Sequence, residues 1–395
     1  MGEIGKSLKV SAAALAGIVI LGLVVVYSLD LKRPPRIEEA SETNSYRWYR
    51  EDLGEQARSS DGSDFHLLIK KGDSNNWIVF FSGGGASWDE SSAAQPIKIM
   101  NFLTGKPTGN YFANIPIYLK AILQGMTDNH KADNPFKDWN IVYIPYSTGD
   151  LHIGNRVAEY VKDDGSRFIM RYNGRNNVRQ SLEWIYANVD SPDKLLIAGE
   201  SAGGFGSAFW AGEIANRYPH AQIYQYSDSA FLYSEKWPNI VNKEWQAEFE
   251  STFGYPVKED LIGAAFEGNG SRMPSRTVFL QSYSLYDEVL ITFQNAINDS
   301  DSPIDAQAVR DWSRQLRESV AFLADTMPNY HYFLTDYGMD IEKGTTGHTF
   351  ATRDTFYKAE QDGIKLLTWL DDIINRGQSY SVGERFVEEL REARE

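Results

Sequence analysis

The 395-residue chain contains no cysteine. A disulfide framework, a thiolate metal site, a cysteine nucleophile and a lipoprotein anchor are therefore excluded. The absence is compatible with an oxidising compartment but does not identify one.

A clustered basic surface is also missing. The formal net charge is −15, and no group of Lys and Arg forms the positive face that phosphate binding needs, which argues against a nucleic-acid partner. The sequence offers no close-spaced set of His, Asp and Glu that resembles a zinc or di-metal site. A metal is therefore not required, and no cofactor is expected.

One long apolar run is present, close to the N-terminus. Val10 to Tyr27 spans about 18 residues without a charge, which is enough to cross a bilayer. Basic residues stand on both sides of the run, so the charge bias does not set its orientation. No A-x-A cleavage site follows it, and it lacks the polar face of a surface helix in a globular domain. We therefore expect an uncleaved signal anchor that contacts the membrane through residues 10–27.

Apolar runs of strand length alternate with helical patterns through the rest of the chain. Strands are predicted at Phe65–Lys70, Trp77–Phe81, Asn140–Pro145, Leu195–Ala198, Gln222–Tyr226, Thr277–Gln281 and Tyr330–Leu334. Helices are predicted at Arg175–Val189, Phe205–Tyr218, Lys243–Phe253, Ala306–Thr326 and Asp354–Arg376, with a partly helical insertion at Ala93–Asp128. This alternation predicts an α/β fold with a mainly parallel sheet and helices on both faces.

The pentad Gly199-Glu200-Ser201-Ala202-Gly203 lies between a predicted strand and a predicted helix. In that context a G-x-S-x-G turn holds the serine in a strained conformation and exposes its hydroxyl, which makes Ser201 a candidate nucleophile. The Ala202 N–H lies at a helix N-terminus, where it can bind a developing oxyanion. The alternative is a Gly-rich connection around an ordinary serine.

A second Gly-rich segment, Ser82 to Trp88, follows the buried strand WIVFF. Three consecutive glycines let the backbone turn its amides toward a ligand, so Gly85 or Ala86 is expected to supply the second oxyanion N–H. A plain turn is the alternative.

Polar residues follow other strands at the same predicted edge of the sheet, where α/β proteins bind ligands. The candidate substrate-binding residues are Trp88, Asp150, His152 and Asp228. For Asp150, capping of local amides is an equally good reading.

A serine nucleophile needs a base and an acid. In α/β-hydrolases the chain order is serine, acid, histidine, which leaves His220, His331 and His348 as bases. His348 follows the last predicted strand in a Gly-rich loop, where the base belongs. Asp287 ends a strand at the functional edge and is the expected acid. Asp228 is its rival, with Asp325 and Asp336 weaker.

These segments resemble the pectin acetylesterase family, which includes the Notum-type carboxylesterases. The resemblance rests on WIVFFSGGGASW, IAGESAGGFG, YSDSAFLYS, VFLQSYSLYDEVL and GHTF, together with YSTGDLHIGN, which is similar to a segment of bacterial members. It implies an α/β-hydrolase fold, Asp287 and His348 as acid and base, and removal of a short acyl group from an oxygen ester. Asp89 and Ser147 stand where the family usually has cysteine, which puts the substrate in doubt more than the chemistry.

We expect three regions: a membrane anchor at residues 1–30, a linker at 31–45, and an α/β-hydrolase catalytic domain at 46–395 that lies outside the cytoplasm, in the periplasm or extracellular space. The expected substrate is a small acylated molecule or an acylated polysaccharide. Two alternatives stay open: a catalytically silent saccharide-binding domain on this fold, and a peptidase or acyltransferase with the same triad.

Overall fold

The structure, a computed structural model, describes residues 34–37, 44–98, 109–116, 123–162, 164–299 and 304–392. The predicted anchor, residues 1–30, and most of the linker lie outside these ranges, as does part of the predicted insertion. Within them, no helix has both the length and the apolar character needed to span a bilayer.

Eight strands form the central sheet, which is mostly parallel as the sequence predicts. They are β1 (Trp48–Asp52), β2 (His66–Lys70), β3 (Trp77–Phe81), β4 (Asn140–Ile144), β7 (Lys194–Glu200), β8 (Gln222–Asp228), β9 (Val278–Ser284) and β10 (Tyr330–Thr335). Their order is β1-β2-β4-β3-β7-β8-β9-β10. The pairs β1–β2 and β2–β4 are antiparallel, and every other pair is parallel.

The central strands are buried on both faces, which explains their unbroken apolar sequences. All five residues of β3 and of β4 are buried. On one face, Val79 and Ile197 belong to the larger core, and on the other, Phe80 and Leu196 belong to a second core. Both faces of the sheet are therefore covered.

Helices pack on both faces of the sheet. Those of the described residues are Glu90–Ala93, Gly174–Asn188, Ala202–Arg217, Trp237–Asn239, Phe249–Phe253, Leu261–Gly270, Glu288–Ile297, Ala306–Thr326, Leu366–Ile374 and Arg385–Glu392. The helix Ala202–Arg217 packs against β3, β7 and β8 in the larger core. The helix Leu366–Ile374 packs in the second core, on the opposite face.

The single closing helix predicted at Asp354–Arg376 is wrong. A 3₁₀ turn at Asp354–Tyr357 comes first, and two short antiparallel strands, Glu360–Gln361 and Ile364–Lys365, follow it before the helix begins at Leu366. The residues between those strands are Asp362 and Gly363, and both have positive φ angles (54° and 77°). Asp-Gly is the preferred pair for such a two-residue turn, so this local signal overrides the helical periodicity.

Two further predictions differ from the structure. The segment predicted as one helix at Lys243–Phe253 divides into a π-helical turn at Ile240–Glu244 and a short helix at Phe249–Phe253. Left-handed backbone at Gln246 and Glu248 separates them. The sequence reading also missed a hairpin outside the main sheet, β5 (Arg156–Val161) paired with β6 (Arg167–Tyr172).

Ser147 stands where the family that the sequence resembles usually has cysteine, and the structure shows what the serine contacts there. The Ser147 hydroxyl lies 2.9 Å from the Ser59 hydroxyl, and both residues are buried. Asp89, at the other departure, caps the helix Glu90–Ala93 by accepting from the Ser92 N–H at 2.7 Å. Both replacements are satisfied by hydrogen bonds within the fold.

Candidate active site

Ser201 occupies a strained turn between β7 and the helix Ala202–Arg217. Its φ and ψ angles are 53° and −127°, a combination that costs energy for any residue except glycine. The Ser201 N–H donates to the Asp228 carbonyl at 2.8 Å, which ties the turn to the end of β8. This is the strand–turn–helix geometry that presents a serine hydroxyl at the sheet edge.

The flanking glycines are required by close backbone approach. A Cβ atom on Gly199 would lie 2.0 Å from the Gly203 carbonyl oxygen, and a Cβ atom on Gly203 would lie 2.0 Å from the Phe81 carbonyl oxygen. No side chain fits at either position, so the two glycines of the pentad bring helix, nucleophile strand and neighbouring strand together.

Asp287 and His348 form a hydrogen bond of 2.7 Å between Oδ2 and Nδ1. The other oxygen of Asp287 accepts from the N–H groups of Val289 and Leu290, both at 3.0 Å, so the side chain also caps the helix Glu288–Ile297. Since the carboxylate accepts, Nδ1 carries the proton, and Nε2 of the neutral ring keeps a lone pair for a second proton. The contact expected from the sequence is therefore present.

The loop that carries His348 is attached to both strands that border Ser201. Asp228, at the end of β8, accepts through Oδ2 from the N–H groups of Phe350 (2.7 Å) and Ala351 (2.8 Å). Glu200, at the end of β7, accepts from the Thr352 hydroxyl at 2.6 Å. These contacts place the histidine loop beside the serine.

Among the described residues, no hydrogen bond joins the Ser201 hydroxyl to the His348 ring. Hydrogen bonds between a nucleophile and its base are often long before substrate binds and tighten in the complex. His348 is partly exposed, with 12% of its side chain accessible, so its ring can meet a substrate.

The Gly-rich loop lies directly against the nucleophile. A Cβ atom on Gly83 would lie 2.9 Å from the Ser201 Cβ atom. Of the two expected oxyanion donors in this loop, Ala86 already donates its N–H to the Asn110 carbonyl at 2.8 Å. Gly85 is therefore the remaining candidate for the second oxyanion N–H donor. Its φ is 82°, and a Cβ atom there would lie 1.9 Å from the Asn110 oxygen, so only glycine fits.

Ala202 is the first residue of its helix. Its N–H is one of the four N-terminal amides that have no acceptor within the helix, so its position suits a donor to an oxyanion.

All four expected substrate-binding residues are buried, and the three polar ones make their hydrogen bonds inside the protein. Asp150 accepts from the Thr148 hydroxyl (2.6 Å) and the Gly174 N–H (2.8 Å), and burial raises its pKa to about 6. His152 donates through Nε2 to the Ser82 carbonyl (2.9 Å), and burial lowers its pKa to about 4. His152 therefore holds the first residue of the Gly-rich segment, whereas Asp150 holds the start of the helix Gly174–Asn188.

Asp228 is the third buried residue. It is fully inaccessible, and its Oδ1 accepts from the Ser282 hydroxyl at 2.7 Å while Oδ2 holds the histidine loop. Burial, and then the charge of Glu200, raise the pKa of Asp228 to about 6. The side chain that contacts the His348 ring is Asp287, not Asp228.

Trp88, the fourth candidate, is also largely buried, with 9% of its surface accessible. Its ring meets the Phe293 ring edge to face, with centroids 6.0 Å apart. Phe293 lies on the helix that Asp287 caps, so this ring pair, called here the aromatic wall, connects the end of the Gly-rich segment to that helix. Phe293 was missed from the sequence, although it lies six residues beyond Asp287 on a predictable helix start.

The sequence profile of the Pectinacetylesterase family matches residues 50–260, more than half of the chain. The chain belongs to the pectinacetylesterase family. Its activity class is therefore that of a carboxylic ester hydrolase. The profile covers the Gly-rich loop and Ser201, whereas Asp287 and His348 lie beyond its end.

Two solved structures of the Wnt deacylase Notum from Drosophila resemble this pectinacetylesterase-family fold. Crystal form I is 17% identical with a TM-score of 0.57, and crystal form II is 19% identical with a TM-score of 0.56. Each match covers 84% of this chain and 94% of the Notum chain. At this identity the likeness shows the fold alone. No curated protein sequence matches the chain.

Within the described residues of this family member, no group of three His, Asp or Glu side chains is placed to hold a metal ion.

The contact between Glu200 and Thr352, which holds the histidine loop, was not predicted from the sequence. A signal was available, because a carboxylate inside the nucleophile pentad must find a partner once the strand end is buried.

Proposed function

We propose that the chain is a serine esterase that removes a short acyl group from an oxygen ester, with Ser201 as nucleophile, His348 as base and Asp287 as acid. The observation that carries this proposal is the 2.7 Å bond between Asp287 and His348, in a loop tied to the end of β7, which leads into the strained Ser201 turn, and to the end of the neighbouring β8. Fold likeness alone would not support it.

The proposed reaction has two matching halves. The Ser201 hydroxyl attacks the acyl carbonyl while Nε2 of His348 takes its proton, and the N–H groups of Ala202 and Gly85 bind the oxyanion. His348 then gives that proton to the departing alcohol, which leaves an acyl-serine. Water attacks the acyl-serine with His348 again as base, releasing the acid and restoring the serine. Asp287 holds the ring and stabilises its charged form.

The proposed substrate surface is the aromatic wall of Trp88 and Phe293. Aromatic faces suit both a short acyl chain and a saccharide ring. An acylated polysaccharide and a small acylated molecule are therefore the two substrate classes that we propose. Notum is a deacylase, and we propose that this chain likewise removes an acyl group from its substrate.

A fluorophosphonate probe tests the nucleophile directly. The wild-type protein should be labelled once per chain, and Ser201→Ala should lose both the label and the hydrolysis of a chromogenic acetyl ester. The matched control is Ser271→Ala, because Ser271 is exposed, follows the helix Leu261–Gly270 and is not one of the candidate site residues. A folded Ser201→Ala protein that hydrolyses ester at the wild-type rate would refute the assignment, and an unlabelled, inactive wild type would favour a saccharide-binding domain.

We also propose, from the sequence alone, that residues 10–27 anchor the catalytic domain on the outer side of a membrane. The run lies outside the described residues and is long enough to span a bilayer. Full-length protein should stay with membranes after alkaline carbonate washing, and added protease should reach the catalytic domain from outside intact cells. Release by carbonate would contradict the anchor.

A further inference from the structure

Four consecutive backbone amides follow His348, and side chains beside Ser201 accept from all four. The Thr349 N–H donates to the Ser229 hydroxyl at 3.3 Å, and the N–H groups of Phe350 and Ala351 donate to Asp228. The Thr352 N–H donates to Glu200 at 3.3 Å, and its hydroxyl donates to the same carboxylate at 2.6 Å. The backbone of residues 349–352 is therefore held at every step.

The acceptors lie on the nucleophile's own framework. Glu200 immediately precedes Ser201, and Glu200 and Asp228 are register partners at the ends of β7 and β8. The Asp228 carbonyl also accepts the Ser201 N–H. One pair of neighbouring carboxylates thus connects the serine turn to the histidine loop.

The Asp228 carboxylate loses hydration on burial and is repelled by the neighbouring Glu200 carboxylate, and burial first, then this charge, raise its pKa. The donors that face them offset this cost: the amides of Phe350 and Ala351, and the Ser282 and Thr352 hydroxyls. The Asp228 carboxylate makes no contact with the His348 ring in the described structure, and Asp287 fills that place. The pair therefore acts on the base through the backbone.

We propose that Glu200 and Asp228 are positioning residues, which hold the residue 349–352 backbone so that His348 meets Ser201 in reactive geometry. This inference rests on the proposed function of Ser201 and His348. A displacement of about 1 Å at a reacting group can cost about 10²-fold in rate, so loss of the carboxylates lowers kcat more than it raises KM.

Thr352 provides the cleanest variants. Thr352→Val has nearly the same shape but lacks the hydroxyl donor to Glu200, and Thr352→Ser keeps that donor. In the full-length protein, Thr352→Val should lower kcat on a chromogenic acetyl ester about 10-fold with KM within about twofold. Thr352→Ser should restore most of the rate. A purely structural role would lower the folded fraction without changing kcat per labelled serine.

Asp228 gives a second, larger contrast. Asp228→Ala removes the acceptor of two amides and should lower kcat about 100-fold, whereas Asp228→Asn keeps an oxygen for them and should lose less than about 10-fold. The control is Asp260→Ala, because Asp260 is a partly buried aspartate that caps the helix Leu261–Gly270 and accepts from Gly263 N–H at 2.8 Å. It should lose stability and keep kcat per labelled site.

The outcomes separate the two claims. If Asp228→Ala does not fold, the Thr352 pair carries the test. Wild-type kcat in folded Thr352→Val overturns the positioning role, as does a loss that Thr352→Ser fails to restore. In either case an inactive Ser201→Ala protein leaves the proposed function standing. Full activity in a folded Ser201→Ala protein would contradict the proposed function itself.

Discussion

Replacing Asp287 by Asn offers the sharpest test of the proposed triad, because the structure dictates how the new side chain must turn. Oδ1 of Asp287 accepts from two helix amides, those of Val289 and Leu290, and Oδ2 accepts from His348. Asn has one oxygen for these two places. Turning its NH₂ toward the helix would leave two amide donors without an acceptor, at about 1–3 kcal/mol each.

The Asn oxygen should therefore face the helix, and its NH₂ should face Nδ1 of His348. A donor at that place requires Nδ1 to be unprotonated, so the neutral ring carries its proton on Nε2, the nitrogen proposed to face Ser201. The ring then cannot take the serine proton. We expect kcat to fall by about 10⁴-fold, by analogy with other Ser-His-Asp triads, which corresponds to about 5 kcal/mol of transition-state stabilisation.

Folding should change little, since Asn caps a helix about as well as Asp. The assay is kcat on a chromogenic acetyl ester, together with thermal unfolding. Asp305→Asn is the matched control, because Asp305 also accepts from two helix amides, at 2.9 and 2.8 Å, without touching the candidate site. A folded Asp287→Asn protein that loses less than about 10-fold would contradict the assignment of the acid.

Three further outcomes are expected. Gly85→Ala should displace the Gly-rich loop, because its Cβ would lie 1.9 Å from the Asn110 oxygen, and kcat per folded molecule should fall by at least about 10²-fold. His152 is buried with its pKa lowered from 6.5 to about 4, so its contribution to stability is present above pH 6.5 and is lost as pH falls through about 4. Relative to His152→Gln, the wild type should lose about 3 kcal/mol of unfolding free energy between pH 7 and 4 in urea titrations, and a difference that does not vary with pH would contradict this. Esterase activity should survive EDTA, because the proposed oxyanion donors are backbone N–H groups; loss with recovery on added zinc would count against the mechanism.

The central strands were predictable because both faces of each are buried. Such strands have continuous apolar sequences with few competing interpretations. The predicted bounds of β3 agree with the observed ones, whereas the observed β7 and β8 are longer than predicted by three and two residues. The nucleophile turn was predictable for a different reason, since G-x-S-x-G between strand and helix has a steric requirement at both glycines.

The orientation of two carboxylates could not be predicted, because it depends on contacts with residues distant in the sequence. The sequence places Asp150 and Asp228 at strand ends but does not show whether a carboxylate turns outward or inward. The inward turn is set by donors far along the chain, Gly174 for Asp150 and Phe350 with Ala351 for Asp228. The predicted closing helix is wrong for a local reason, because the Asp362-Gly363 turn interrupts the helical periodicity.

The hydroxyl pair of Ser59 and Ser147 has a consequence for how the chain matures. A bond between two hydroxyls forms as fast as the surrounding backbone folds, whereas pairing of thiols waits for an oxidant and, when several are present, for reshuffling over seconds to hours. Because the chain has no cysteine, its folding includes no thiol-pairing step, and we expect a reductant in the medium neither to slow its folding nor to inactivate it.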